Sequence, residues 1–159
     1  MAFFEELVLK DSIEIKTTAE KIFTFFNSII DDESYRAWHN EDHVGLRWLK
    51  GNPWTEGSVV YAEEYIHGKL HKLKFKITKI VPGKRIEYSP TSRFAKFFFP
   101  KNEFIIEQKG ECCVFTASGT YRVGKLGKIF FKKAIERGLS SVKKHMREEG
   151  KSLKNILES

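Results

Sequence analysis

The fold is decided by residues 127–159, GKIFFKKAIERGLSSVKKHMREEGKSLKNILES, which have the hydrophobic period of one long α-helix. At about 100° per residue, the small and apolar side chains of this segment fall in a stripe about 60° wide. Basic side chains project from the opposite side, so we predict a helix with one buried and one solvated face. The stripe consists of Phe131, Ile135, Gly138, Val142, Leu153 and Ile156.

Two polar residues lie within this apolar stripe. His145 falls at its edge and Glu149 at its centre, one helical turn apart on the same face. A buried carboxylate without a partner is strongly destabilised or takes up a proton, so Glu149 requires a basic partner, an opening to water or a metal ion. Two ligands at i and i+4 are a spacing that zinc sites use, but a His–Glu hydrogen bond at this spacing is also ordinary in helices. The pair alone leaves both interpretations open.

Length and composition restrict the architecture and the compartment. At 159 residues and 18.5 kDa the chain is long enough for one domain with a core, and we predict a single domain over residues 1–159. No segment approaches the roughly 20 apolar residues of a membrane span. The N-terminus, MAFFEELVLK, lacks the basic, apolar and small-residue order of a signal peptide. We therefore predict a cytoplasmic protein.

The net charge of +7 raises the question of nucleic acid or anionic lipid as a partner. Much of the excess lies on the polar face of the terminal helix and on the alternating Lys72, Lys74 and Lys76. These faces carry neither interleaved aromatic residues nor a nucleic-acid motif. We interpret them as solvated surfaces and expect no nucleic-acid partner. Attachment of the basic helix to a membrane surface is the minor alternative.

The rest of the chain alternates between strands and short helices. Residues 7–16 have the period of a strand with one buried face. Thr17 and Glu20 form a T-x-x-E capping box that opens a short helix, and residues 31–37 indicate a second helix or turn. Residues 90–100 have no clear period and fit a loop over a cavity mouth or a buried or edge strand. Further strands are predicted from Gly57 onwards, at residues 58–67, 70–81, 85–89, 102–108 and 111–123.

This order of elements defines the fold class. A strand, two short helices, a run of antiparallel strands and a long C-terminal helix are typical of an α+β domain. We predict a curved antiparallel sheet of about six to seven strands wrapped around the C-terminal helix, with an internal cavity between them. A small hydrophobic or aromatic ligand is the partner that such a cavity favours. The sequence is also compatible with a homodimer.

A second carboxylate is predicted to point into the same interior. In the first hairpin strand, alternation places Glu64 on the face of Val60, Ala62 and Ile66. That face is small and apolar, so we expect it to be buried and Glu63 to lie outside with the neighbouring tyrosines. A β-bulge would exchange the two glutamates.

Two histidines, His39 and His43, lie four residues apart just before the strands. Taken with the inward candidates, His43 or His39 completes a set of two imidazoles and two carboxylates. Such a set suits Zn²⁺, and Mn²⁺ or Fe²⁺ are alternatives, because these ligands do not select sharply among the three ions. Of the groups left over, His39 and Glu63 are candidates for proton transfer in catalysis. The full metal set is His43, Glu64, His145 and Glu149.

Several motifs together resemble a known group of proteins. The Thr-x-x-Glu-Lys-Ile-Phe sequence that starts at Thr17, after a first strand, is similar to the START-like (SRPBCC, helix-grip) superfamily, which includes polyketide cyclases and plant lipid-binding allergens. Three further segments resemble the diacetylphloroglucinol hydrolase and phloretin hydrolase group within it. They are WHNEDH at residues 38–43, VYAEEYIHG at residues 60–68 and HMREEG at residues 145–150.

The resemblance implies a metal site and a reaction. Those hydrolases hold zinc with one His, one strand Glu and a C-terminal His-x-x-x-Glu, and they cleave a carbon–carbon bond between an acyl group and a phenolic ring. It therefore implies zinc at His43, Glu64, His145 and Glu149, and a metal-dependent hydrolase or lyase for an acylphenol-type substrate. This chain is shorter than those hydrolases. Because the START-like fold also carries transport proteins, a non-catalytic binding protein for a hydrophobic molecule or lipid is the alternative.

Overall fold

We describe residues 3–159 of the chain in a computed structural model. Seven strands form one antiparallel sheet, and the longest helix is at the C-terminus. In chain order the elements are β1 (Phe4–Ile15), α1 (Ala19–Asn27), α2 (Asp32–Trp38), β2 (His43–Lys50), β3 (Val59–Ile66), β4 (Lys69–Val81), β5 (Arg85–Pro90), α3 (Arg93–Phe98), β6 (Lys101–Lys109), β7 (Cys112–Gly124), α4 (Lys125–Phe130) and α5 (Lys132–Glu158).

The sheet and its packing confirm the predicted α+β class. From β2 to β7 each strand pairs with the next along the chain, and β1 closes the order by pairing with β7. Helix α5 packs chiefly on β1, also contacts β7 and β3, and meets α2. Residues from the first, middle and last parts of the sequence can therefore meet on the side of the sheet that α5 covers.

Helix α1 begins one residue later than its sequence indicated. Thr18 is the N-cap: its backbone is extended, and its Oγ1 accepts a hydrogen bond from the Lys21 backbone N–H at 3.2 Å. Thr17 is buried, and its Oγ1 has no hydrogen-bond partner within residues 3–159. The predicted capping box of Thr17 and Glu20 is therefore wrong by one position. Two adjacent threonines offer two caps, and the path of the chain after β1 selects the second.

Helix α2 follows the second predicted helix closely. Asp31 caps it, since Oδ1 accepts from the Ser34 backbone N–H at 2.9 Å while the Ser34 hydroxyl accepts from the Asp31 backbone N–H at 3.1 Å. Tyr35 and Trp38 are three residues apart, share one face of the helix and are both buried. This face of α2 packs towards the interior.

The C-terminal segment is two helices and not the single predicted one. Phe131 leaves helical geometry, with φ −121° and ψ 29°, and separates α4 from α5. The predicted apolar stripe is buried in part: Leu153 is fully buried, whereas Phe131, at the start of the stripe, is 65% exposed and Ile156, at its end, is 37% exposed. The helical period predicts a face, but packing partners decide how much of that face is covered. No helix within residues 3–159 combines the length and the apolar character that spanning a membrane requires.

Residues 90–100 contain the short helix α3 instead of a further strand. Ser92 caps it by accepting from the Ala95 backbone N–H at 3.4 Å. The ring of Phe4 lies 5.0 Å from that of Phe97, centroid to centroid, so α3 covers the end where β1 and β7 meet. The predicted strand alternative for this segment is wrong.

Aromatic side chains fill much of the interior between the sheet and the helices. The ring of Phe26 stacks on Phe104 at 5.1 Å and meets the edge of Trp38 at 5.3 Å. A pocket of about 760 Å³ is lined by α2, β2 and Glu63, and a second, of about 220 Å³, lies beside Trp54. Neither pocket lies between the sheet and α5, so the internal cavity expected there stays a prediction.

Candidate metal centre

Strand β2 begins with an irregularity that directs His43 inward. His43 pairs with Glu64 of β3, and the next pair is Gly45 with Glu63, so Val44 is an extra residue in β2. The bulge is therefore in β2, while β3 keeps a regular register with β4. His43 and Glu64 are direct cross-strand neighbours on the inner face, as the alternation of β3 indicated for Glu64.

Two contacts fix the position of α5 above these strands. The indole N–H of Trp38 donates to the Glu149 backbone carbonyl at 3.1 Å, which joins α5 to α2. At Gly150 the helix comes so close to β1 that a Cβ would lie 3.2 Å from Cγ2 of Ile13. The close approach of α5 brings His145 and Glu149 to the level of His43 and Glu64.

Four side chains converge at this point, and we call His43, Glu64, His145 and Glu149 the inner cluster. Oε2 of Glu149 lies 2.8 Å from Nε2 of His43 and 3.4 Å from Nε2 of His145. Oε2 of Glu64 lies 3.8 Å from each of the same two nitrogens. One ligand atom from each residue lies within 4.8 Å of every other. Ligand atoms around a tetrahedral zinc ion are about 3.3 Å apart, so small side-chain movements suffice to surround an ion.

The second ring nitrogen of each histidine in the inner cluster, Nδ1, already has a hydrogen-bond partner outside the cluster. Nδ1 of His43 lies 3.0 Å from the Tyr35 carbonyl oxygen, which only accepts, so Nδ1 carries the hydrogen. Nδ1 of His145 lies 3.0 Å from Oδ2 of Asp42. Both rings therefore direct Nε2 at the carboxylates. Metal-binding histidines are commonly oriented in this way, with the second nitrogen held by a carbonyl or carboxylate.

Charges within the inner cluster shift one another's ionisation. Burial alone would lower the pKa of His145, but the Glu149 carboxylate, followed by Glu64 and Asp42, raises the pKa to about 10. Burial alone would raise the pKa of Glu149, but hydrogen bonds and charge from His145 and His43 hold it well below its usual range. Without a metal, an ionised Glu149 therefore lies beside a protonated His145. A bound cation would take the place of that proton.

Tyr35 is a member of the site that the sequence analysis did not assign. Its ring stacks on His43 with a centroid distance of 3.8 Å, and its hydroxyl donates to Glu64 Oε2. Burial, together with the charges of Glu64 and Glu149, raises the pKa of Tyr35 well above its usual value, so the hydroxyl keeps its proton. The sequence feature that could have indicated its burial is its spacing of three residues from Trp38, which places both on one face of the helix.

Asp42, also unassigned from the sequence, links the inner cluster to His39, which is buried as well. Its Oδ2 lies 3.3 Å from Nε2 of His39 as well as 3.0 Å from Nδ1 of His145. His39 in turn lies 3.2 Å from Oε2 of Glu148. Its Nε2 is thus engaged with Asp42 and Glu148, and His39 lies beside the cluster and not in it. The signal for Asp42 was its place in the sequence directly before His43.

The structure does not bring Glu63 to this site. Its Oε1 accepts from the Tyr61 hydroxyl at 2.7 Å on the opposite face of β3, where both residues line the outer pocket. A carboxylate there cannot exchange a proton with a group at the inner cluster. The assignment of Glu63 as a catalytic proton carrier is therefore corrected, because strand alternation turns it away from Glu64.

Comparisons with known proteins agree on the fold. The sequence matches no protein-family model and no curated protein. Among solved structures, the di-domain ARO/CYC BexL from the BE-7585A biosynthetic pathway has a TM-score of 0.75 at 13% identity, over 97% of this chain and 50% of BexL. Norcoclaurine synthase from Thalictrum flavum, in complex with dopamine and hydroxybenzaldehyde, has a TM-score of 0.71 at 12% identity, over 97% and 87% of the two chains. Ara h 8.0201 has a TM-score of 0.66 at 15% identity, over 96% and 98%.

These similarities define the class of protein: the chain has the START/Bet v1-like (SRPBCC) fold. It spans half the length of BexL and nearly all of the other two. The predicted helix-grip fold is therefore confirmed. The narrower resemblance to the acylphenol hydrolases stays a prediction.

Proposed function

We propose that this protein is a metal-dependent hydrolase or lyase that acts on a small aromatic or polyketide-like, acylphenol-type molecule. One observation carries the proposal: two imidazoles with occupied Nδ1 atoms direct Nε2 at the buried carboxylate of Glu149 and the half-buried carboxylate of Glu64. Two nitrogen and two oxygen donors fit Zn²⁺, and they also accept Mn²⁺ or Fe²⁺. His43, Glu64, His145 and Glu149 would hold the ion.

The residues around the inner cluster supply the remaining chemistry. A metal ion bound there polarises a carbonyl group and makes water more acidic. Tyr35 fixes Glu64 by hydrogen bonding and His43 by stacking, so both are held before substrate arrives. His39 is the candidate proton carrier, since Nε2 contacts Asp42 and Glu148, whose side chains are 26% and 31% exposed and exchange protons with solvent.

The substrate class is supported by the fold neighbours and by the aromatic interior. Norcoclaurine synthase, which shares the fold, has been solved with dopamine and hydroxybenzaldehyde, two small aromatic molecules. In this chain Tyr88 lies near enough to the cluster that burial and the charges of Glu149 and Glu64 raise its pKa well above the usual value. A protonated phenol beside the cluster suits hydrogen bonding to a phenolic or carbonyl oxygen of a substrate.

Metal binding is tested with two adjacent glutamates of β3. We expect Glu64→Gln to remove stoichiometric zinc from the purified protein, because it deletes an oxygen ligand of the inner cluster. Glu63→Gln is the matched control and should retain zinc, since Glu63 lies on the other face. Elemental analysis combined with circular dichroism measures both. Equal zinc content in the two folded variants would exclude the proposed ligand set.

Activity is tested separately with an acylphenol substrate. We expect the zinc-loaded protein to release the carboxylic acid and the deacylated phenol, and the chelator-treated protein to do so only after zinc is restored. Liquid chromatography with mass spectrometry detects both products. Zinc binding without product formation, in spite of substrate binding, would exclude hydrolysis and leave the metal site standing.

A non-catalytic binding protein is the second candidate, and a specific observation favours it. The polar groups of the inner cluster hydrogen-bond to one another and to Tyr35 and Asp42, so the network is satisfied without an ion. Such a network could serve only to stabilise the interior of a carrier. Binding of an apolar fluorescent probe with equal affinity to the wild type and to Glu64→Gln, together with no zinc in either, would support this candidate.

A further inference from the structure

Most of the exposed large apolar side chains occur in one region. Within residues 3–159 there are fifteen such side chains, and nine of them come from the start of β1, from α3 with the residue that follows it, and from α4 with Phe131. A monomeric protein seldom exposes so many large apolar groups together without a partner. We call these nine the aromatic patch: Phe3, Phe4, Phe94, Phe97, Phe99, Leu126, Ile129, Phe130 and Phe131.

Contacts between the three segments make the patch continuous. The Phe4 ring lies 5.0 Å from that of Phe97, and the Phe3 carbonyl accepts from the Lys125 backbone N–H at 3.0 Å. The Arg122 guanidinium lies 5.1 Å over the Phe97 ring and donates to the Phe97 carbonyl at 3.3 Å. The start of β1 thus joins α3 on one side to α4 on the other.

Helix α4 turns its apolar face away from the protein. Leu126, Ile129 and Phe130 stand at i, i+3 and i+4 and therefore share one face. These side chains are 70%, 71% and 75% exposed. An amphipathic helix of a globular domain normally buries this face, so the helix is oriented for contact with something outside the chain.

The segments that carry the patch also have an excess of positive charge. Residues 3–6, 90–100 and 120–135 contain seven basic residues and only two acidic ones, Glu5 and Glu6. They account for five of the seven net positive charges, and the rest of the chain, with 21 basic and 19 acidic residues, is close to neutral. Among residues 3–159, Arg93, Lys96 and Lys125 are in no salt bridge. Glu5 and Glu6 are paired with Lys128 and Arg122.

We propose that the aromatic patch docks this protein on the surface of an anionic lipid bilayer. Phenylalanine and leucine with adjacent lysines are the composition of segments that lie in the interface of a membrane. Basic residues near such a surface add attraction to acidic headgroups. A second copy of this chain would bring the same excess of positive charge against it, so self-association through the patch is disfavoured.

The location of the patch has a functional consequence. The residues from Phe131 to His145 span fourteen steps of α5, or about 20 Å at 1.5 Å per residue. This length of helix separates the docking surface from the inner cluster. The docking surface does not include any residue of the inner cluster, and the proposal stands independently of the metal site.

The experiment compares vesicles and matched variants. Full-length protein is sedimented with phosphatidylcholine vesicles with and without phosphatidylserine, at low and at high salt. We expect binding to the anionic vesicles only, with affinity that falls as salt rises. The variant Phe94→Ser/Phe130→Ser should bind about tenfold more weakly, because each change removes a large apolar group from the interface. Val8→Ser/Ile30→Ser is the control, since both residues are exposed but lie outside the patch.

Each outcome decides the proposal. Salt-sensitive binding to anionic vesicles that is weakened by the patch variant and not by the control supports it. No binding to anionic vesicles overturns it, and so does binding that only Lys143→Glu/Lys144→Glu on α5 weakens. A dimer in light scattering that the patch variant dissociates, with no vesicle binding, also overturns it and assigns the patch to a second copy. Circular dichroism confirms that all variants are folded.

Discussion

Glu149 is the carboxylate of the inner cluster that lies nearer to both imidazoles. Its Oε2 lies 2.8 Å from Nε2 of His43 and 3.4 Å from Nε2 of His145, and its side chain is only 11% exposed. These contacts explain how a carboxylate is tolerated in an apolar stripe: it is paired with two imidazoles. The same contacts mean that a metal ion must compete with a proton for the site.

We expect zinc binding at pH 7 to release about one proton. In the metal-free protein the pKa of His145 is raised to about 10, so Nε2 is protonated at neutral pH and must lose that proton to become a ligand. The affinity should therefore rise with pH up to about 10 and fall on acidification. Calorimetry in two buffers of different ionisation enthalpy measures the proton count. His39→Gln should leave this count unchanged, and a count of zero in the wild type would contradict the assignment of His145.

We expect Asp42→Asn to weaken zinc binding by about 10–100-fold without unfolding the protein. The Asp42 carboxylate accepts from Nδ1 of His145 and so directs Nε2 at the cluster, and an amide orients the ring less strongly. Competition with a chromophoric chelator measures the affinity. Glu41→Gln is the matched control because Glu41 is exposed. The same affinity in both variants would show that Asp42 does not position the ring.

The N-terminus of helix α1 shows that two adjacent threonines can have different structural roles. Thr18 caps the helix, whereas the hydroxyl of the adjacent Thr17 is buried without a partner. An N-cap stabilises a helix by about 1 kcal/mol, but an unpaired buried hydroxyl is unfavourable. The two neighbours therefore have opposite effects on stability.

We expect Thr18→Ala to lower the free energy of unfolding by about 1 kcal/mol. Thr17→Val should leave it unchanged or raise it, because it replaces the unpaired hydroxyl with a methyl group of the same shape. Urea unfolding followed by circular dichroism measures both. A larger loss for Thr17→Val than for Thr18→Ala would place the cap at Thr17, as its T-x-x-E pattern suggested.

At the scale of the whole molecule, the inner cluster joins distant parts of the chain. His43 begins β2, Glu64 is in β3, and the other two residues come from α5. A ligand that binds only this folded arrangement stabilises the native state by mass action. A metal ion at the cluster would therefore connect the sheet to its covering helix.

We expect zinc at 100 times its Kd to stabilise the fold by about 2.7 kcal/mol, or to raise Tm by roughly 5–10 °C. The rise should be reversed by a chelator and absent from Glu149→Gln, in which the central carboxylate is lost. Differential scanning calorimetry measures it. An equal rise in the variant would mean that zinc stabilises the protein from another site.

Much of the fold and part of the site follow from the sequence because they depend on local periods. Alternation in β3 separates Glu64 from Glu63, and the helical period places His145 and Glu149 on one face. The residues that hydrogen-bond to these side chains cannot be predicted from any local sequence period. Tyr35 and Asp42 reach the cluster through the packing of α2 and the loop before β2, which no period encodes.

Local sequence patterns were therefore enough to predict the α+β class, the strand and helix faces, and the candidate ligands of α5 and β3. Tertiary packing was needed to show that His43, and not His39, lies in the inner cluster, because a bulge in β2 turns the His43 ring towards Glu64. It also decided that the terminal segment breaks at Phe131 and that the apolar face of α4 stays uncovered. The physical reason is the same in each case: a period states which side chains share a face, but contacts between distant segments decide what that face meets.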